Sequence, residues 1–117
     1  MPNNNWKNLE RKVASDLGVQ RVLQKGLSAP DVIYKNIIIE CKNRKYLNVE
    51  EAIEQLESYR ENPEQILVLI FKKNNKRNTD VFMKLKDFNI FLKNSLHKSN
   101  CLVQIKYKDF IEYAKKT

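Results

Sequence analysis

Apolar residues recur along this chain with two distinct periods. Over 5–17, Trp6, Leu9, Val13 and Leu17 fall at helical spacing, and Gly18 stops the run. One charged residue, Glu10, sits on that stripe, a turn after Trp6 and three residues before Val13. Three short apolar runs follow, at about 20–24, 31–35 and 37–42, and read as strands. Over 49–61 the helical period returns. Val49, Ala52, Ile53 and Leu56 point one way, and Glu50, Glu54, Glu57 and Glu61 gather on the other side as a solvated face. The run ILVLIF at 66–71 has no alternation, which suits a strand buried on both faces beside a parallel neighbour reached through a helical crossover.

The stretch KKNNKRN at 72–78 reads as a basic loop. Beyond it, 80–85 predicts a strand, 86–96 a helix, 102–106 a strand and 108–116 a closing helix. In the third helix Ile90 lies off the Phe88, Phe91, Leu92, Leu96 stripe, which makes it a candidate for an exposed apolar contact. The order αβββαββαβα predicts an α/β protein of the α+β kind, with helices packed on a mixed sheet. With two glycines, three prolines and no repeats or low-complexity tracts, 1–117 reads as one domain whose elements follow closely.

The stretch PDVIYKNIIIECK, from Pro30 to Lys42, places charge inside apolar strands. A hairpin turning at Lys35-Asn36, where Asn tolerates positive φ, sets Tyr34 against Ile37, Ile33 against Ile38 and Asp31 against Glu40. Directly opposed residues have Cβ atoms roughly 4.5–5.5 Å apart, so two facing carboxylates repel unless a cation lies between them. Side chains alternate along a strand, so Ile38, Glu40 and Lys42 share one face and Ile39 and Cys41 the other. Asp31, Glu40 and Lys42 therefore converge. The ordinary reading is a solvated strand face.

The chemical reading is a site for a hard divalent ion such as Mg²⁺, with Mn²⁺ as a substitute. Such ions take one or two carboxylates plus water and substrate phosphate. An ion there acidifies a water and neutralises charge on a scissile phosphate. Lys42 beside it orients the water, stabilises charge in the transition state or simply offsets the local negative charge.

Composition narrows the partner. The net charge is +8, which favours a polyanion, most simply nucleic acid. No strongly basic amphipathic helix is present to lie on a membrane, and no apolar run is long enough to span one. The polar start, MPNNNWKNLERK, lacks the apolar core of a signal peptide. A cytoplasmic protein is expected, or one of a host cell's cytoplasm if viral. The only cysteines, Cys41 and Cys101, have no CxxC spacing, and the single His97 completes no zinc site with them. Cys41 is expected to be a buried, inert thiol. Nothing in the chain calls for a small-molecule cofactor.

Pro30-Asp31 followed by Glu40-Cys41-Lys42 resembles the signature of the PD-(D/E)XK nuclease superfamily. Glu10 occupies the place of the helical glutamate that many members carry upstream. QLESY, with Gln55 and Tyr59 one turn apart, resembles the QxxxY element of RecB-like members; core packing plus a surface amide is the plainer reading of that pair. In length and layout the chain is most similar to the archaeal-type Holliday junction resolvases, small basic homodimers. Those carry a longer Gly/Ser-rich loop before Pro-Asp; here it is QKGLSAPD, with Ser28 its only hydroxyl.

The resemblance implies a restriction-endonuclease-like fold with an αβββαβ core. The implied activity is that of a homodimeric, Mg²⁺-dependent endonuclease that resolves four-way junctions in DNA recombination and repair, leaving 5′-phosphate and 3′-hydroxyl ends. Glu10, Asp31, Glu40 and the carbonyl of Cys41 are implied as metal ligands, Lys42 and Gln55 as catalytic partners. DNA contacts are expected from Lys25, Arg44, Lys45, Lys72, Lys73, Lys76 and Arg77, cationic side chains holding a backbone without reading bases, and from the hydroxyls of Ser28 and Tyr59. A nicking, single-strand or flap nuclease and a DNA-binding module without catalysis are the alternatives.

Overall fold

A computed structural model describes residues 5–23, 29–91 and 102–116, with the side chains of Asn5 and Trp6 left out. The elements run α1 (Asn5–Leu17), β1 (Val32–Tyr34), β2 (Ile37–Arg44), α2 (Val49–Glu57), β3 (Ile66–Lys73), β4 (Thr79–Lys84), α3 (Leu85–Phe91), β5 (Leu102–Lys106) and α4 (Tyr107–Lys116). The strands form one mixed sheet in the order β1-β2-β3-β4-β5, parallel only at β2–β3. The α2 crossover makes that parallel pair possible, because two parallel neighbours need a connection across the sheet. β3 is therefore central, and Ile66, Leu67, Val68, Leu69 and Ile70 are all buried.

The sheet carries a core on each face. On one, Leu9, Val13, Ala14 and Leu17 of α1 and Phe110 and Ala114 of α4 pack on Ile37, Ile39, Cys41, Val68 and Ile70. On the other, Ala52, Ile53 and Leu56 of α2 pack on Ile38, Leu67 and Leu69. The alternation along β2 thus sends odd residues to α1 and even ones to α2.

The hairpin register is as expected where β1 is a strand, with Val32 opposite Ile39, Ile33 opposite Ile38 and Tyr34 opposite Ile37. The positive φ falls on Lys35, at 54°, and not on Asn36. Asn36 has another task. Its side-chain amide donates to the Glu64 carbonyl at 2.9 Å and its carbonyl accepts from Ile66 N–H at 2.9 Å, which starts β3 beside β2.

Three boundaries differ from expectation. Residues 20–23 form no strand; they run beside β1 through one backbone bond, Val22 N–H to the Asp31 carbonyl at 2.8 Å. α2 stops at Glu57, where Ser58 caps it, and the N–H groups of Tyr59 and Arg60 tighten into turns on the Leu56 and Glu57 carbonyls, both at 3.0 Å. β3 extends through Lys73, so half of the expected basic loop is strand. The third helix is described only to Phe91, and Leu92, Leu96, His97 and Cys101 lie outside the described residues. Among the described residues no helix is long and apolar enough to cross a membrane.

Two devices hold these elements. Gly18, at φ 74°, ends α1: its N–H donates to the Ser15 carbonyl and Val19 N–H to the Ala14 carbonyl, the paired bonds of a left-handed helix stop. Arg60 grips Asp87 with one nitrogen on both carboxylate oxygens, at 2.9 and 2.8 Å, and Glu57 at 2.9 Å. Asp87 is 1% exposed, so the end of α2 is tied to the start of α3 by a buried ion pair.

Candidate active site

β1 is shorter than β2, and the edge of β2 is bare beyond Ile39. Asp31 sits at the end of this ladder. Its N–H donates to the Ile39 carbonyl at 3.0 Å, and its Oδ2 accepts from Cys41 N–H at 2.7 Å. The carboxylate thus takes the place that the next β1 residue would fill. Because the N–H and C=O of one strand residue leave by the same edge, the Cys41 carbonyl is directed to this edge too. A cavity of about 490 Å³ opens here, lined by Glu10, Arg21, Val22, Leu23, Asp31, Glu40, Cys41, Lys42, Asn43 and Arg44.

Each expected carboxylate reaches the cavity by its own route. Glu10 follows Leu9 on the buried stripe of α1 and is 5% exposed. Asp31 is 8% exposed. Glu40 and Lys42 share the even face of β2, and Lys42 Nζ stands 3.4 Å from Glu40 Oε1. Glu40 Oε2 is buried and has no hydrogen-bond partner among the described residues.

The electrostatics follow. Burial first, then the Asp31 charge, raise the Glu40 carboxyl to about 7, with Lys42 pulling the other way. Glu10 is raised to about 7 by burial and by Asp31, against Arg21. Asp31 is also raised, by burial, although the Cys41 N–H and Lys42 oppose it. The buried Cys41 thiol is pushed well up, by burial and by all three carboxylates, and stays protonated and inert.

A divalent ion can be tested against this donor set. Among the described residues no three His, Cys, Asp or Glu side chains are gathered to hold a metal. The expected third ligand is diverted: Glu10 Oε1 pairs with Arg21 at 3.6 Å. Asp31 and Glu40 nonetheless suit a hard cation, which takes one or two carboxylates and fills its remaining positions with water and phosphate. The orphaned Glu40 Oε2 is the acceptor such an ion would satisfy.

The other expected residues are scattered. Gln55 is exposed on α2 and does not line the cavity. Tyr59 packs against the core on the α2 face. Arg44 is on the cavity wall, and Lys45 is exposed just beyond it. Lys72 and Lys73 stand beside Asn43 and Arg44 in the β2–β3 register. Lys76 is exposed in the following turn, and Arg77 lines a different hollow, with Lys12, Lys106 and Lys108. Lys25 and Ser28 lie outside the described residues. Ile90 is 38% exposed, as its place off the stripe implied.

Sequence reasoning passed over Arg21, Asn43 and Tyr46. Arg21 was hidden within a presumed strand. Asn43 lines the cavity with its Oδ1 buried and unpartnered among the described residues. Tyr46, set in the run Arg44-Lys45-Tyr46, was the legible one, an aromatic between cations and a helix cap. Comparison with protein-family models, curated proteins and solved structures finds no match for this chain.

Proposed function

We propose that this protein is a Mg²⁺-dependent endonuclease that hydrolyses phosphodiester bonds in DNA, with the four-way junction as its substrate. The observation that carries the reading is the pairing of buried Asp31 with half-buried Glu40, which keeps one buried oxygen orphaned and has Lys42 beside it, opening toward a cationic strand end. Asp31 and Glu40 would hold the ion, with the Cys41 carbonyl as a further donor and Glu10 once Arg21 releases it. The ion supplies charge neutralisation at the phosphate and polarises the attacking water.

The chain's own groups do the rest. Lys42 offers N–H donors toward charge developing on the phosphate, in a cleft where such donors act more strongly than in water. Arg44, Lys72 and Lys73 position the backbone. The choice of a junction, the homodimer that would make paired cuts and the 5′-phosphate product rest on the resemblance to archaeal-type resolvases. A two-fold dimer would bring two sites to one junction.

The absence of a gathered three-donor set among the described residues favours a second reading, a DNA-binding module without catalysis. The deciding experiment incubates a synthetic four-way junction, a flap, a linear duplex and a single strand with Mg²⁺ or Mn²⁺, alongside Glu40→Ala. Junction cleavage lost in Glu40→Ala supports the proposal. Equal cutting of linear duplex removes the junction, and no cleavage with either ion leaves the binding module.

A further inference from the structure

The surface just past Arg44 carries a feature that phosphate binding does not require. Tyr46 is 74% exposed, more than any other large hydrophobic side chain among the described residues. Lys45 Nζ lies 5.4 Å and Lys73 Nζ 5.9 Å from its ring centroid, each over the ring. The exposure does not reflect a loose segment. On one side, Asn74 N–H donates to the Arg44 carbonyl at 2.9 Å. On the other, Leu47 packs on the α2 core and Asn48 caps α2. Tyr46 is held out from a fixed backbone, beside the wall of the carboxylate cavity. No acidic residue occurs between Glu40 and Glu50 or between Gln65 and Asp80, so both strand ends are positive.

We propose that Tyr46 is a stacking platform for an unpaired base of a nucleic-acid strand that runs from the carboxylate cavity across Arg44, Lys45 and Lys73. This deepens the function proposed above and rests on it for the cleavage, though not for the binding. A ring in the open accepts a base face, and a base inside a duplex has none to offer; a single strand or a frayed or branched end does. Base stacking on an aromatic ring is stronger than a cation–π contact at an exposed position, so the base displaces the ammoniums. Lys45 and Lys73 then meet the flanking phosphates. Arg44 lies about 13 Å along β2 from Glu40, at about 3.3 Å per residue.

The test is fluorescence anisotropy with the full chain in EDTA, where no cleavage intrudes, on a labelled single-stranded oligonucleotide and on a duplex of the same sequence. Tyr46→Ala is expected to weaken single-strand binding about five- to a hundredfold and duplex binding by less than about twofold. Tyr46→Trp is expected to restore it. The salt dependence in Tyr46→Ala is expected to be unchanged, while Lys45→Gln with Lys73→Gln flattens it.

The inference is overturned if the unmodified protein does not bind the single strand. It is equally overturned if Tyr46→Ala weakens both ligands alike or neither, or if Trp fails to restore binding. Circular dichroism of each variant shows whether the fold is retained. Cleavage with Mg²⁺, measured separately, decides the nuclease reading. A chain that stacks but never cuts keeps this inference and loses that one, and a chain that cuts with Tyr46→Ala binding normally does the reverse.

Discussion

Replacing Glu40 by Gln should stabilise the metal-free protein at alkaline pH while abolishing cleavage. The Glu40 carboxyl stands at about 7 in the fold, against an ordinary 4.5, because it is buried beside Asp31. Between those values the folded chain holds a proton that the unfolded chain has lost. Its contribution to stability is therefore complete below 4.5 and lost as pH rises through 7. The gap between 4.5 and about 7, at about 1.36 kcal/mol per pH unit, comes to about 3 kcal/mol. Asp31 is raised by its own burial and interacts with Glu40, so this figure belongs to the pair and is counted once.

Gln keeps the volume and the shape, and its amide donates to Asp31 where the second charge was. The lost contact with Lys42 offsets up to about 1 kcal/mol. A net gain of about 2 kcal/mol at pH 8 follows, about 8 °C in Tm for a chain of this size. Urea titration in EDTA at pH 8 and pH 5 measures it. At pH 5 the native carboxyl is already protonated and the gain should shrink to near zero. A Glu40→Gln protein less stable than the unmodified one at pH 8, or a gain equal at both pH values, would refute the account of a repulsive buried pair.

Mg²⁺ should raise Tm more at pH 8 than at pH 5.5, because protons on Glu40 and Glu10, both raised to about 7, compete with the ion; equal shifts in a thermal melt would separate these carboxylates from any ion site. Arg60→Ala should cost about 3–5 kcal/mol in urea unfolding by leaving Asp87, 1% exposed, with its charge uncompensated, and a loss below about 1 kcal/mol would mean that water replaces the guanidinium. Gly18→Ala meets no atom within 4 Å, so its cost should be only that of φ 74°, about 1–2 kcal/mol, and a neutral result would show that the helix stop rearranges freely. Lys42→Met should lower cleavage about 10²–10³-fold with the circular dichroism unchanged; a loss of fold instead would make the lysine a counter-charge alone.

What was legible in the sequence is local. The period-2 alternation of 37–42 determined which of Ile38, Glu40 and Lys42 share a face, because a strand's side-chain direction depends only on parity. The hairpin register, the doubly buried β3 and the parallel β2–β3 pair followed from short-range pattern and from the length of the crossover. The place of Glu10 on an apolar stripe was enough to send it inward.

Tertiary structure decided everything that needs two distant segments to meet. Only the placement of 19–23 near β1 brings Arg21 within 3.6 Å of Glu10 on the cavity that Asp31 and Glu40 also line. Only the return of the chain beyond β4 brings Asp87 to Arg60, which binds it together with Glu57 just past the end of α2. The Asp31 carboxylate caps a strand edge because β1 happens to stop there, and no propensity encodes where a neighbouring strand ends. The physical reason is common to these cases. A residue's own sequence context sets its direction, whereas its burial, its pKa and its partners are fields summed over atoms that chain order does not place together.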